Sequence, residues 1–600
     1  MRLRLIWTAL ALLMASSVAR GQTPVPQADF WVAPGGNDAN PGTELRPFAT
    51  LHQAQAAVRR RIAEGLNHNL LVLIHQGTYE LAAPLVFGSR DCGSAQDSVT
   101  YAAYPGETVV ISGGRRVGGW QAHADGIWTT RLPSGPPNLS QARDFYVNGH
   151  RATRARTPNA DAQPSCWRLT GAQFSPDLQR FTLTLRTGLV KDWPHPDQIE
   201  VMIAGNWEIN RLRVQSVNAT TGTVVLAPPH IAGPAYILPA RGRWCYFSGP
   251  REFLDQPGEW SLNPSTGILS YWPRPHEDLS RSDTVVPALQ QLVKLAGQPG
   301  RPACNLHFRG LRFAYTDWQL PAPGFQGSQA GTYSTAGPGS PQKRIVAVIA
   351  ATDARQCSFE DCVLTCLGGC GIELGEGCHD NLIEGCQIFD TGSNGINVGG
   401  PNNAARVPTD NRIANNAVHA CGQDDYGAVG IWVGLSQRTV VAHNLVYDLP
   451  YTGISVGWQW DSQPTACREN RIEYNHVYDV MRRLCDGGAI YTLGLQPGTV
   501  IRGNDLHDVH RNFMAQGAPN NGMFLDEGSK GYLIEQNVVY KTSGAPVRFN
   551  RSQKDWHTWR DNYFGYDAAQ KPAAREVTAQ AGPQPPYRRR FAANEQPAGH

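Results

Sequence analysis

Gly371-Ile372-Glu373-Leu374-Gly375, Gly395-Ile396-Asn397-Val398-Gly399, Gly430-Ile431-Trp432-Val433-Gly434 and Gly453-Ile454-Ser455-Val456-Gly457 are four versions of one pentapeptide. Ala489-Ile490-Tyr491 and Gly522-Met523-Phe524-Leu525 continue the series. Successive copies recur after roughly two dozen residues, or after longer gaps that hold loops, which is the mark of a solenoid. Between them runs a second motif, Asn before an aliphatic residue: Asn381-Leu382-Ile383, Asn411-Arg412-Ile413, Asn416-Ala417-Val418, Asn444-Leu445-Val446, Asn475-His476-Val477 and Asn537-Val538-Val539. An Asn in such a place suits a turn whose side chain bonds a neighbouring backbone group. One coil cannot bury its own apolar residues but a stack of coils can, so the pattern predicts an all-β parallel β-helix. Within each unit the flanking aliphatics face inward and the middle residue faces out. Glu373, Asn397, Trp432, Ser455, Tyr491 and Phe524 should therefore form one external ladder.

Outward from this core the chain changes texture. Met1 to about Gly21 reads as a secretory signal, with Arg2 and Arg4, the apolar run Leu5–Met14 and small residues after it. The expected product is exported, periplasmic or extracellular, with no membrane insertion. Residues 22–118 read as an N-terminal cap and first coils, with Thr50 capping a helix from Leu51 to about Ala63. Residues 119–287 carry alternating runs such as Phe181-Thr182-Leu183-Thr184-Leu185, which predict an inserted antiparallel β-sandwich-like domain. Residues 288–566 form the main β-helix, interrupted by a Gly/Ser/Pro-rich loop from Leu320 to Gln342 that is long enough for a lid or groove wall. Residues 567–600, rich in Ala, Pro, Gln and Arg, read as a flexible tail.

The composition is globular and turn-rich, with 62 Gly and 43 Pro among 600 residues, and the formal charge is only +3. No clustered basic face points to nucleic acid. Thirteen cysteines permit disulfides and leave at least one unpaired. Six of them crowd Cys357–Cys386 without paired C-x-x-C spacing, so they read as small residues stacked in successive coils. No metal and no cofactor is expected.

Two carboxylates stand beside glycines on neighbouring coils: Asp486 before Gly487-Gly488, and Asp526, followed by Glu527-Gly528. Glycosidic bond cleavage needs such a pair at a groove. Whether they meet depends on register, because a one-residue slip turns a strand over, and the alignment of Met523 with Ala489 or Ile490 stays open. Glu527 is an alternative second carboxylate. Trp432, Trp458, Trp460, His476, Tyr491, His507 and Arg548 are candidate sugar-binding residues, the rings to stack on sugar faces and the His and Arg groups to bond hydroxyls. A lyase acting on acidic polysaccharide and a non-catalytic carbohydrate-binding protein are the other readings.

The passage Trp31–Leu51 resembles the N-terminal cap of exported right-handed parallel β-helix proteins of the pectin-lyase-like superfamily. Pro450–Trp458, Asp486–Gly494 and Phe524–Ser529 resemble the catalytic half of glycoside hydrolase family 141. The resemblance implies a β-helix with an inserted β-sandwich domain, and activity on α-L-fucosides or xylan of plant cell walls. It also implies an aspartate pair on successive coils, here Asp486 and Asp526. The mechanism expected of such a pair is double displacement, with Asp486 as nucleophile and Asp526 as acid/base or the reverse, and the carboxylate separation decides between retention and inversion.

Overall fold

A computed structural model describes residues 27–594 apart from 95, 176–179, 229–240, 335–340 and 401–404. The expected signal segment lies outside the described residues. The chain builds a right-handed parallel β-helix from three long parallel sheets. Sheet A has twelve strands, from Phe30–Val32 to Thr558–Arg560. Sheet B has eleven, from Gly77–Glu80 to Tyr563–Phe564, and sheet C has ten, from Leu85–Phe87 to Val547–Phe549. Each complete coil visits A, then B, then C and lays one strand on each sheet; among the described residues the first strand, Phe30–Val32, belongs to A alone and the last coil reaches only A and B.

The pentapeptides are sheet C. Ile372, Ile396, Ile431, Ile454, Ile490 and Met523 stack in register and face a continuous apolar core. The open register is thus closed in favour of Ile490 opposite Met523. The middle residues stack outward as expected, and Arg548 opposite Phe524 extends the ladder by one coil. The leading glycines are required by crowding at the B–C corner. A Cβ on Gly453 would lie 2.4 Å from Val477 Cγ1 and 2.7 Å from the Ala489 carbonyl. The second motif forms a buried asparagine ladder. From Asn416 through Asn444, Asn475, Asn504 and Asn537 to Asn562, each side-chain amide donates to the next Asn carbonyl oxygen at 2.9 to 3.0 Å.

The N-terminal helix spans Leu51–Glu64, and the Thr50 hydroxyl accepts from the Gln53 amide. All thirteen cysteines are free thiols, twelve of them buried in the coil stack and the insertion. The antiparallel insertion leaves the solenoid after the sheet B strand Val109–Ser112 and returns at the sheet C strand Val293–Ala296. It holds two cores of its own. One coil later, at the same corner, the expected lid segment does more than cover. Phe325–Gly327 pairs with the insertion strand Ile209–Asn218, and Thr332–Ser334 and Lys343–Arg344 follow as further strands of that sheet. This joins the insertion to the β-helix over the outer face of sheet C.

The stretch read as a flexible tail is corrected by the structure. Pro572–Gln580 and Tyr587–Asn594 are helices. Pro at the first helical position and an alanine-rich sequence favour helix. Docking holds them: Ala574 packs with Val538, Phe591 is buried, and Arg590 pairs with Asp361 and bonds the Gly385 carbonyl.

Candidate active site

The site lies on the outer face of sheet C, beneath the lid. Asp526 follows the strand Asn521–Leu525, whose Phe524 faces outward and packs with Tyr491 and Leu493 in a small cluster separate from the main core. The Asp526 carboxyl is nearly buried. The Tyr491 hydroxyl donates to its Oδ2 at 2.5 Å and the Asn550 amide donates to its Oδ1 at 2.7 Å. Burial pushes Asp526 above the usual carboxylate range. The Tyr491 and Asn550 hydrogen bonds oppose that shift, and the negative charge of Asp486 adds to it.

Asp486 sits at the B–C corner before the strand Gly488–Thr492, with φ of +65°, a conformation Asp tolerates better than most residues. Its carboxylate pairs with the Arg548 guanidinium at 2.7 Å, and that guanidinium lies 4.2 Å from the centre of the Phe524 ring. Tyr451, fully buried, links the two halves. Its hydroxyl donates to the Asp486 carbonyl at 2.9 Å and accepts from Gln329 of the lid at 3.1 Å. Burial first, then the charges of Asp486 and Asp526, push the Tyr451 hydroxyl well above its ordinary range.

The remaining expected residues divide. Tyr491 and Arg548 join the two aspartates as described. Glu527 turns away to pair with the exposed Arg551 at 3.0 Å. Trp432 is fully buried, with Trp458 edge-on at 5.0 Å and Arg344 over its ring, so it is a covered rung of the ladder and not an open platform. Trp458 is nearly buried and bonds Gln342, while Trp460, 42% exposed, forms the rim beside it. His476 and His507 are placed on sheet B, away from the carboxylates, because the coil turns between the sheet B and sheet C strands. Tyr451, Asn550 and Gln329 were missed. Asn550 was legible as the outward neighbour of Arg548 at period two, whereas Gln329 carries no local signal.

Between the insertion and the turns that lead from sheet B to sheet C lies a separate polar cavity of about 450 Å³ lined by seven arginines and four aspartates, among them Arg156, Arg211, Arg482 and Arg483. Along the covered ladder, Asn397 Nδ2, Trp432 Nε1 and Ser455 Oγ are buried on three successive coils without hydrogen-bond partners among the described residues. Asp424 faces Arg151 and Arg211, and Asp425 accepts from Ser393 and the Gly427 amide.

A family model described as the right-handed β-helix region matches residues 347–539, and one described as the GH141 insertion domain matches residues 125–274. The chain resembles glycoside hydrolase family 141. A solved structure named only as a glycoside hydrolase superposes with a TM-score of 0.82 at 23% identity, covering 94% of this chain and 100% of that one. That likeness extends over both the solenoid and the insertion and is one of fold. XylC in complex with xylose matches at 14% identity and a TM-score of 0.48, covering 87% of this chain and 69% of its own. A rhamnogalacturonan lyase matches at 11% identity and a TM-score of 0.39, covering 89% and 87%. No curated protein matches the chain in sequence. No helix among the described residues is long and apolar enough to cross a membrane.

Proposed function

We propose that this protein is an exported glycoside hydrolase that cleaves α-L-fucoside or xylan-like linkages of plant cell-wall polysaccharide with Asp486 and Asp526. The observation that carries this reading is the asymmetry of the two carboxylates. Asp526 is buried, bonded to Tyr491 and Asn550, and pushed toward its protonated form. Asp486 on the preceding coil faces a guanidinium. A buried carboxyl raised above its usual range, beside a second carboxylate paired with a guanidinium, is the arrangement of an acid and a nucleophile.

In this mechanism Asp526 gives its proton to the glycosidic oxygen as that bond breaks. Asp486 attacks the anomeric carbon and forms a covalent glycosyl-enzyme. Asp526, now a carboxylate, takes a proton from the water that releases the sugar. Tyr491 and Asn550 hold Asp526 in one orientation through both steps.

The test is release of reducing sugar from plant polysaccharides and aryl fucosides and xylosides by wild type, Asp486→Asn and Asp526→Asn. Both variants should lose at least about 10²-fold in kcat with unchanged melting temperature, and the first-formed sugar should keep its anomeric configuration by NMR. Activity retained in either folded variant refutes the pair. The arginine-lined cavity favours one second reading, a lyase on acidic polysaccharide. That reaction yields an unsaturated uronide, whose ultraviolet absorbance distinguishes it from a hydrolase product.

A further inference from the structure

We infer that His476, Asp505 and His507 form a binding site for one divalent transition-metal ion on sheet B. The sequence reading gave the two histidines to sugar binding and expected no metal. In the fold they belong to adjacent strands, His476–Val480 and Asp505–Val509, paired in register with His476 opposite Asp505 and Tyr478 opposite His507. Asp505 and His507 are two residues apart, so both point to the same face as His476. One ligand atom from each of the three falls within 4.8 Å of the others. The two imidazole Nε2 atoms stand 2.8 Å apart, and Asp505 Oδ2 lies 3.8 Å from His476 Nε2. Ligands held at about 2.0–2.2 Å around a tetrahedral ion have separations of this order.

Three features go beyond proximity. His507 directs its other nitrogen, Nδ1, to the Asp508 carboxylate at 2.6 Å. This places the ring proton on Nδ1 and frees the Nε2 lone pair, as in the carboxylate–histidine–metal arrangement. The His507 ring is stacked between Tyr478 and Tyr540, at 5.3 and 4.8 Å, which fixes its plane. Asp505 is the independent sign of a missing partner: its side chain is only 8% exposed, and its Oδ1 has no hydrogen-bond partner among the described residues. A His476–His507 hydrogen bond alone would leave that carboxylate buried and unpaired, which is costly. A cation between the three resolves both contacts.

Two imidazoles and one carboxylate suit zinc and its neighbours, not calcium or magnesium, which prefer all-oxygen sites. Gly582 of the C-terminal segment crosses so close to His476 that a Cβ there would stand 3.2 Å from the His476 Cβ. The ion would clip two coils together beneath the C-terminal helices, on a different sheet from Asp486 and Asp526.

The test uses the full chain without a polyhistidine tag, stripped with chelator and titrated with zinc by calorimetry, with bound metal counted by mass spectrometry. Wild type should bind one zinc per chain and melt at higher temperature with zinc present. Asp505→Asn should weaken binding by at least about tenfold, and His476→Ala should abolish stoichiometric binding. Zinc bound equally by wild type and both variants, or no stoichiometric zinc in wild type, overturns the site. If His476→Ala does not fold, cobalt(II) decides on wild type alone: tetrahedral visible bands support the site and their absence refutes it.

Discussion

Replacing Asn475 by Ala tests whether the asparagine ladder carries the stability of the central coils. Asn475 Oδ1 accepts from the Asn444 backbone amide and from Asn444 Nδ2, both at 3.0 Å. Its Nδ2 donates to the Val441 carbonyl at 2.9 Å and to Asn504 Oδ1 at 3.0 Å. Two of these partners keep other bonds, since Asn444 Nδ2 also donates to the Ile413 carbonyl and Asn504 Oδ1 also accepts from the Asn475 backbone amide. The Asn444 amide, fully buried, loses its partner. An orphaned buried donor costs about 1–3 kcal/mol and each weakened bond about 0.5 kcal/mol, so the expected loss is about 3 kcal/mol. Solenoid coils interact chiefly with their neighbours, so the loss should be local. Hydrogen exchange read by mass spectrometry should show peptides covering residues 440–510 opening about 10²-fold more often, with the first coils unchanged. Asn562→Ala is the control. It ends the same ladder with similar bonds, but it is only partly buried and water can replace them. Acceleration below about threefold at Asn475, or an equal effect at Asn562, would refute the reasoning.

Asp317 tests the electrostatics beside the insertion. Burial, reinforced by the charge of Asp144, pushes its carboxyl up to about 8. The native state therefore holds a proton that the unfolded chain releases near the ordinary Asp value, so stability falls as pH rises from about 4 toward 8. Asp317→Asn, which retains an oxygen for the Arg143 amide, should gain melting temperature on wild type as pH rises from 5 to 8; a difference that does not grow with pH contradicts the shift. Gly453→Ala forces a methyl group against Val477 and the Ala489 carbonyl two residues from Tyr451. It should lower the melting temperature by several degrees, consistent with about 1–3 kcal/mol of overpacking, and it should reduce glycosidase activity. An unchanged melt would show that the corner yields freely.

The repeated pentapeptides and the asparagines before aliphatic residues were sufficient to determine the β-helix, because each motif satisfies a requirement repeated in every coil. The outward ladder from Glu373 to Phe524 followed from period-two alternation alone. Register did not, since Ala489 and Ile490 are both apolar enough to face inward; the assembled stack pairs Ile490 with Met523. The order in the C-terminal segment was hidden because its alanines and arginines resemble a solvated tail until Phe591 and Arg590 find their places on the coils. The histidines show the limit most clearly. His476 and His507 read as sugar-binding side chains in one dimension, but a coil turns between sheets B and C, and that turn sends them away from Asp486 and Asp526 and toward Asp505. The candidate site itself is a tertiary product. Gln329 reaches Tyr451, and Arg548 reaches Asp486, across separations that no local propensity encodes. Burial raises the Asp526 carboxyl above its usual range, and burial is a property of the assembled fold.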